Sequence, residues 1–325
     1  MIRPARRLTK VLDAINDPRN PLWVPLQFSR YLAESKSPLK EVHDKVLFSL
    51  TVDMEQDFGL PDHLDYYQGI EKGIAPLLDI MQEANVSTTF FVQQTVLTGH
   101  PRIIESVHSA GHELGYHGKE HEVWGDARWW LGDDRILTRS EKREYLDEDI
   151  NRIEELIGER PRSFRAPYMV ANKGTLDILE DSGFVCDSSG AAYHGVEPRP
   201  LRSRGQGLVQ IPVSADPCPR IHLTPIPHAR FEYLQTSTLT RSGIDGALAL
   251  ARSILSYQVL HGIPPHLVML SHPWEYIDHG RTPGPGFDYA GKANISHLRE
   301  FIRALKKLLD LEPVTMETLA REVGP

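Results

Sequence analysis

The chain has 325 residues, of which 36 are basic and 44 acidic, so its formal net charge is −8. A protein that binds nucleic acid through its phosphates needs a basic surface, and this acidic balance argues against that class. Two cysteines are too few for a disulfide scaffold or a cysteine-rich zinc site, and no apolar run approaches the ~20 residues of a membrane helix.

Residues 1–45 differ in composition from the rest of the chain. Basic residues precede the first acidic residue, Asp13, and four prolines lie from position 18 to position 38. Apolar residues from Leu8 to Ile15 recur at roughly helical spacing. We predict an N-terminal extension over 1–45 that packs on the main domain, with a weak peripheral contact to an anionic membrane as the alternative.

From residue 46 onward, segments that favour strands alternate with segments that favour helices. Strands are predicted at 46–52, 88–92, 113–116, 163–166, 184–186, 208–213 and 267–270. Apolar residues recur at helical spacing between them, and Thr138-Arg-Ser-Glu141 has the spacing of a capping box. Such alternation favours a parallel sheet or a (β/α) barrel, so we predict one α/β catalytic domain over 46–325.

Polar residues of a few chemical types follow the predicted strands. In a (β/α) barrel the active site lies at the C-terminal ends of the strands. The residues at those positions are Asp53, Glu55, Asp57, His117, His121, Arg165, Asp187 and His272. Strands end in loops, so chance would place some polar residue at each end. The repeated occurrence of metal-ligand and acid–base types nevertheless predicts one site at this rim.

The segment His117-Gly-Lys-Glu-His121 is the strongest local feature. Two histidines four apart lie on one face of a helical turn and can bind one metal ion. A carboxylate from another strand would complete such a site. The pair alone is a weak signal, because two surface histidines on a turn have the same spacing. The acids after the first strand strengthen the prediction of a metal site.

The chain resembles the polysaccharide deacetylases of the NodB-homology group (carbohydrate esterase family 4). Five separated motifs carry the resemblance, and they occur in the same order as in that family. They are the acids of segment 51–58, the pair His117 and His121, Arg165-Ala-Pro-Tyr168, Asp187, and His272 in LVMLSHPWEY. The resemblance covers most of the chain and implies a distorted (β/α) barrel of the NodB type. The HPWE ending and the separated acids are most similar to the branch of membrane-associated and peptidoglycan deacetylases.

The resemblance implies a role for each matching residue. The catalytic residues would be Asp53 (base), Arg165 (which orients the base), His272 (acid) and Asp187 (which orients the acid). The ligands of a divalent metal, Zn²⁺ first among them, would be Glu55, His117 and His121. Many members have two adjacent aspartates, so the acidic ligand here is either Glu55 or Asp57, and the similar branches favour Glu55.

Two aromatic residues complete the implied site. The backbone N–H of Tyr168 resembles an oxyanion donor. Trp274 lies close after His272, and aromatic faces stack on sugar rings, so we predict that it forms a wall of the substrate site. The resemblance also shows a departure, because the Ser or Thr that usually follows the first histidine is Gly118 here.

These residues together suit amide hydrolysis, which needs an activated water, a stabilised oxyanion and a proton for the leaving amine. We predict a metal-dependent hydrolase that removes the N-acetyl group from an amino sugar in a polysaccharide or glycan precursor. The alternatives are an amidase of the same fold that acts on a ureide or cyclic imide, and a glycan-binding domain without activity. The presence of base, ligands and acid argues against the last.

The sequence lacks the apolar core of a signal peptide near its start. We therefore expect a cytoplasmic enzyme whose partner is an N-acetylated glycan or a lipid-linked sugar.

Overall fold

The structure, a computed structural model, describes residues 42, 44–59, 66–126, 135–190, 201, 202, 207–217, 220–222, 228–230 and 232–324. Almost all of the predicted N-terminal extension, residues 1–41, lies outside the described residues, and its boundary at residue 45 stays a prediction. Across the described ranges, none of the helices combines the length and apolarity that a bilayer crossing requires.

Parallel strands form a curled sheet that carries the predicted site. The strands are β1 (Val46–Met54), β2 (Thr88–Val92), β3 (Glu113–Tyr116), β4 (Ser163–Phe164), β5 (Cys186–Asp187), β6 (Leu201–Arg202), β7 (Val209–Gln210), β8 (Arg220–His222), β9 (His228–Arg230), β10 (His266–Ser271) and β11 (Leu311–Pro313). The main sheet has the order β10-β1-β2-β3-β4-β5-β7-β6, with β11 also beside β1. Its pairings are parallel except that of β6 with β7, and β8 and β9 form a separate antiparallel pair.

Helices flank this sheet, as a parallel sheet requires. They are α1 (Gln68–Ala84), α2 (Gln94–Gly99), α3 (Pro101–Ser109), α4 (Arg139–Ile157), α5 (Lys173–Asp181), α6 (Thr236–Leu260), α7 (Ala293–Leu308) and α8 (Met316–Val323). Thr138 and Glu141 form the predicted capping box at the start of α4. The curled parallel sheet with flanking helices confirms the predicted distorted (β/α) barrel of the NodB type.

The side chains of β1 point to two faces of the sheet, and each face packs against an apolar cluster. Phe48, Leu50 and Val52 belong to the large core cluster that also contains residues of the flanking helices. A smaller cluster contains Phe91 and Val268 of the neighbouring strands and residues of α8. Side chains alternate along a strand, so the polar residues at the end of β1 lie on the face opposite to the large cluster.

Candidate active site

The parallel strands bring the predicted site residues to one rim. Glu55 directly follows β1, His117 follows β3, Arg165 follows β4 and His272 follows β10, while Asp187 ends β5. Strands that run in the same direction end at the same edge, and this edge carries the chemistry in barrels of this type. The distances below show which of these side chains meet.

Glu55, His117 and His121 form a compact cluster of buried ligand atoms. The Oε2 atom of Glu55 lies 2.7 Å from Nε2 of His121 and 3.2 Å from Nε2 of His117. All three ligand atoms lie within 4.8 Å of one another. Burial would raise the pKa of Glu55, but the charge and hydrogen bonds of the two histidines hold it well below the usual range.

The tautomer of His117 suits a metal ligand. Its Nδ1 lies 2.8 Å from the backbone oxygen of Arg165, which can only accept a hydrogen bond. Nδ1 therefore carries a proton, which leaves Nε2, the nitrogen that faces Glu55, as the atom of His117 that would bind a metal ion. Two imidazole nitrogens and one carboxylate are a donor set that fits Zn²⁺ and other divalent ions. The residues present fit the implied metal.

The structure separates Glu55, the acidic ligand that the resemblance favours, from Asp57, the alternative. Asp57 accepts a hydrogen bond at 2.8 Å from the backbone N–H of Gly69, in the first turn of α1. Burial raises its pKa, and this hydrogen bond partly offsets the effect. Glu55 is the acid in the ligand cluster, and Gly59 packs directly against it: a Cβ at Gly59 would lie 2.7 Å from Oε1 of Glu55.

The segment between the two histidines is not the helical turn that their spacing predicts, so this prediction is wrong. Gly118 and His121 have φ angles of 80° and 63°, which belong to the left-handed region. A right-handed helical turn cannot contain such angles. The two rings still converge, with centroids 5.9 Å apart, because the chain bends instead of coiling.

Arg165 and Asp53 form a buried ion pair beside the ligand cluster. Nη1 of Arg165 lies 2.7 Å from Oδ1 of Asp53, and the arginine side chain is fully buried. Nη2 of Arg165 also donates to Oγ of Ser188 at 2.9 Å. The other oxygen of Asp53 lies 3.9 Å from Nε2 of His117 and 4.0 Å from Nε2 of His272. It therefore faces the centre of the site.

His272 also borders the ligand cluster, and Glu275 contacts its ring. Nε2 of His272 is 3.6 Å from Oε1 of Glu55, and its Nδ1 is 3.3 Å from Oε1 of Glu275. Glu275 also accepts the backbone N–H of His272 at 2.8 Å and the hydroxyl of Tyr289 at 2.6 Å. Burial lowers the pKa of His272, but the carboxylates, Glu275 first, outweigh burial and raise it to about 9.

Asp187 does not occupy the place that the resemblance implied, next to His272. Its Oδ1 accepts hydrogen bonds from the backbone N–H and hydroxyl of Ser189, and its Oδ2 accepts one from Gln210. Burial raises the pKa of Asp187, and these hydrogen bonds partly offset it. Glu275 is the acid that contacts His272. Its capping-box spacing after His272 is a local signal that the sequence carried.

Tyr168 and Trp274, the two residues predicted to contact substrate, have different surroundings. Tyr168 has a φ of 58° in the turn Pro167–Met169, and its ring lies 4.3 Å from the ring of His121. Trp274 is only 3% exposed and stacks on His272 with centroids 5.2 Å apart. The prediction of Trp274 as a substrate wall is therefore wrong, because its ring packs behind His272 and Phe58 covers it further.

Comparisons with known proteins match part of the chain that contains some of the predicted site residues. The family model for polysaccharide deacetylase matches residues 50–186, which include Asp53, Glu55 and both histidines but not Asp187 or His272. A peptidoglycan deacetylase-like protein of Gibberella zeae is 29% identical over 130 residues, 38% of this chain and 36% of that relative. The match therefore spans little more than a third of the relative's length.

Two solved structures share the fold. A putative polysaccharide deacetylase from Mycobacterium smegmatis superposes with a TM-score of 0.59 at 24% identity, covering 88% of this chain and 93% of that chain. The allantoinase Puue superposes with a TM-score of 0.56 at 16% identity, covering 85% of this chain and 89% of that chain. The family-model match over residues 50–186, the curated relative and the shared fold confirm the resemblance to the polysaccharide deacetylases that the sequence motifs predicted.

Proposed function

We propose that this protein is a metal-dependent hydrolase that removes the N-acetyl group from an amino sugar in a polysaccharide or glycan precursor. The observation that carries the proposal is the cluster of Glu55, His117 and His121 beside the buried carboxylate of Asp53. A nitrogen and oxygen ligand set next to a second, non-ligating acid is the arrangement that metal-assisted amide hydrolysis needs. The match of residues 50–186 to the family model for polysaccharide deacetylase supports the choice of an N-acetyl group.

The proposed cofactor is a divalent metal held by Glu55, His117 and His121, and we propose Zn²⁺. When bound, such an ion lowers the pKa of a water and polarises the acyl oxygen of the substrate. The hydrogen bond from Nδ1 of His117 to the backbone oxygen of Arg165 supports this assignment, because it leaves Nε2 as the ligand atom.

Asp53 is the proposed general base. Its Oδ2 faces the ligand cluster, and Arg165 occupies its Oδ1, so one oxygen remains to receive a proton from the attacking water. The remaining hydroxyl adds to the acyl carbon, and the acyl oxygen becomes an oxyanion. We propose that the backbone N–H of Tyr168 donates to that oxyanion.

His272 is the proposed general acid. Its side chain is 18% exposed, against 5% for Asp53, so it is the more accessible of the two to a leaving amine. When the C–N bond breaks, the amine nitrogen takes the electron pair and the proton on Nε2 of His272. Acetic acid and a free amino sugar result. The acid ionises to acetate in solvent, and the proton held by Asp53 passes to His272, which restores both groups. Glu275 orients the ring, and Trp274 supports its face.

The experiment that tests this proposal measures acetate release by the purified full-length chain. Substrates are N-acetylglucosamine oligomers, peptidoglycan fragments and a lipid-linked N-acetylated sugar, with a panel of ureides and cyclic imides alongside. We expect acetate release that chelation abolishes and added Zn²⁺ restores. His117→Ala should be inactive, whereas His108→Ala, on the flanking helix α3, should retain activity. Turnover of the ureide or cyclic imide panel alone would contradict the proposal.

A further inference from the structure

The loop between the two metal-ligating histidines is held on both sides by hydrogen bonds. The carbonyl groups of Gly118 and Lys119 accept the backbone N–H groups of Gln94 and Thr95 at the start of α2, at 2.9 and 3.4 Å. These bonds anchor one side of the loop on the neighbouring helix. The N–H groups on the other side of the loop turn toward a single side chain, that of Glu122.

Glu122 accepts three hydrogen bonds from its surroundings. Its Oε1 lies 3.0 Å from the backbone N of Lys119, and its Oε2 lies 2.6 Å from the backbone N of Glu120. Oε1 also accepts the indole N–H of Trp124 at 2.8 Å. The side chain is 5% exposed, so water cannot substitute freely for these donors. The two oxygens of a carboxylate offer acceptor sites for all three donors.

Trp124 connects this carboxylate to the core of the barrel. The indole is fully buried and makes edge contacts with Tyr116 and Phe164, at centroid distances of 6.0 and 5.1 Å. Its carbonyl accepts a hydrogen bond from the buried Nζ of Lys142. Because the core packs around the indole ring, its N–H group is a well-positioned hydrogen-bond donor to Glu122.

Gly118 has no side chain, and the carboxylate of Glu122 and the indole of Trp124 occupy the space beside it. A Cβ at position 118 would lie 3.0 Å from Oε1 of Glu122 and 3.0 Å from Nε1 of Trp124. Its φ of 80° lies in the left-handed region, which also favours glycine. The glycine, the acid and the tryptophan therefore form one unit.

We propose that Glu122 is a positioning residue of the metal site. It fixes the backbone between the two histidines, so that the Nε2 atoms of His117 and His121 both lie close to the carboxylate of Glu55. His121 needs such support, because its own φ of 63° is unfavourable for a residue with a side chain. Groups that orient ligands from outside the coordination sphere typically change metal affinity by about 10- to 100-fold.

The test measures metal binding by the full-length chain, not activity. Glu122→Gln keeps the shape but places an NH₂ group against at least one N–H donor. We expect the variant to fold, its dissociation constant for Zn²⁺ in a chelator competition to rise about 10- to 100-fold, and the visible spectrum of the Co²⁺ form to change. The spectrum reports ligand geometry, which a purely structural role would leave intact.

Glu113→Gln is the matched control. Glu113 is also a carboxylate that accepts three donors, namely the hydroxyls of Thr89 and Ser163 and the backbone N–H of Glu317, but it lies at the opposite end of β3. We expect this variant to lose stability and to keep wild-type metal affinity and the wild-type Co²⁺ spectrum.

Trp124→Phe provides a second route, because it removes one donor to Glu122 and keeps a core ring. A smaller loss of affinity in the same direction is expected. Wild-type affinity and spectrum in whichever of these two variants folds would overturn the inference. It rests on the metal-binding part of the proposed function: a wild-type chain that binds no metal defeats both, whereas one that binds metal without deacetylating leaves the role of Glu122 intact.

Discussion

The guanidinium of Arg165 lies 2.7 Å from Oδ1 of Asp53, and both side chains are buried within the curled sheet. Removing one partner of such a pair leaves an uncompensated buried charge, which costs about 3–5 kcal/mol. Asp53→Asn should therefore lower the free energy of unfolding by an amount on that order, measured by denaturant titration.

The same substitution should also lower kcat by about 10²- to 10⁴-fold, because the general base is lost. Metal content should stay at the wild-type value, since Asp53 is not a proposed ligand. A variant that retains activity would exclude Asp53 as the base.

Glu55 and Asp57 are both buried acids, but only Glu55 touches the histidines. Glu55→Gln should remove most metal binding, measured as bound metal after dialysis. Asp57→Asn should keep the metal and lose thermal stability, because an amide accepts the N–H of Gly69 less strongly than a carboxylate does. The opposite pattern, with metal lost only from the Asp57 variant, would reverse the ligand assignment.

Glu275 contacts His272, and Asp187 does not. Glu275→Gln should lower kcat on the order of 10²-fold or more with KM little changed, since an unoriented acid weakens proton transfer and not substrate binding. Steady-state kinetics on both Glu275→Gln and Asp187→Asn will check the reassignment. A larger loss of kcat in the Asp187 variant would restore the role that the family resemblance implied.

His266, at the start of β10, predicts a pH dependence of stability away from the active site. Its ring is 2% exposed, its Nδ1 donates to the carbonyl of Pro264 at 2.7 Å, and burial lowers its pKa to about 4. The unfolded chain has a histidine pKa of about 6.5, so it binds the proton first as pH falls. Stability is therefore lost between about pH 6.5 and pH 4, by on the order of 3 kcal/mol in full.

The measurement compares urea unfolding of the wild type and His266→Gln across this range. The wild type should lose more stability than the variant as pH falls. Burial raises the pKa of Asp149 to about 6, so its contribution runs in the opposite direction and is lost as pH rises. Asp149 is present in both proteins, so its contribution cancels when the pH dependence of the variant is subtracted from that of the wild type. Equal slopes for the two proteins would show that His266 is not the cause.

The fold and the ligand types could be predicted because they depend on local pattern. Alternation of strand and helix and the residue types after each strand are visible in one dimension, and β1, β2 and β3 lie where the apolar runs indicated. The resemblance implied Asp187 as the partner of His272, whereas the capping-box spacing of Glu275 is the local signal that indicates the residue in contact. Asp187 ends a strand, as an orienting acid should, yet its oxygens accept hydrogen bonds from Ser189 and Gln210.

Burial and backbone conformation are the other features of the site that could not be predicted from the sequence. The sequence places Trp274 beside the rim, but only the packing of Phe58 and His272 shows that its ring is covered. The left-handed φ of His121 has no sequence signal, because the spacing of two histidines is the same in a helix and in a bend.

The most direct test of the account titrates the metal-free chain with Zn²⁺ and follows acetate release from an N-acetylated sugar oligomer in the same sample. The site of Glu55, His117 and His121 predicts that activity rises in proportion to added metal and reaches its plateau at one ion per chain. Acetate release that is already complete in the metal-free chain, or that never develops at any metal loading, would contradict it.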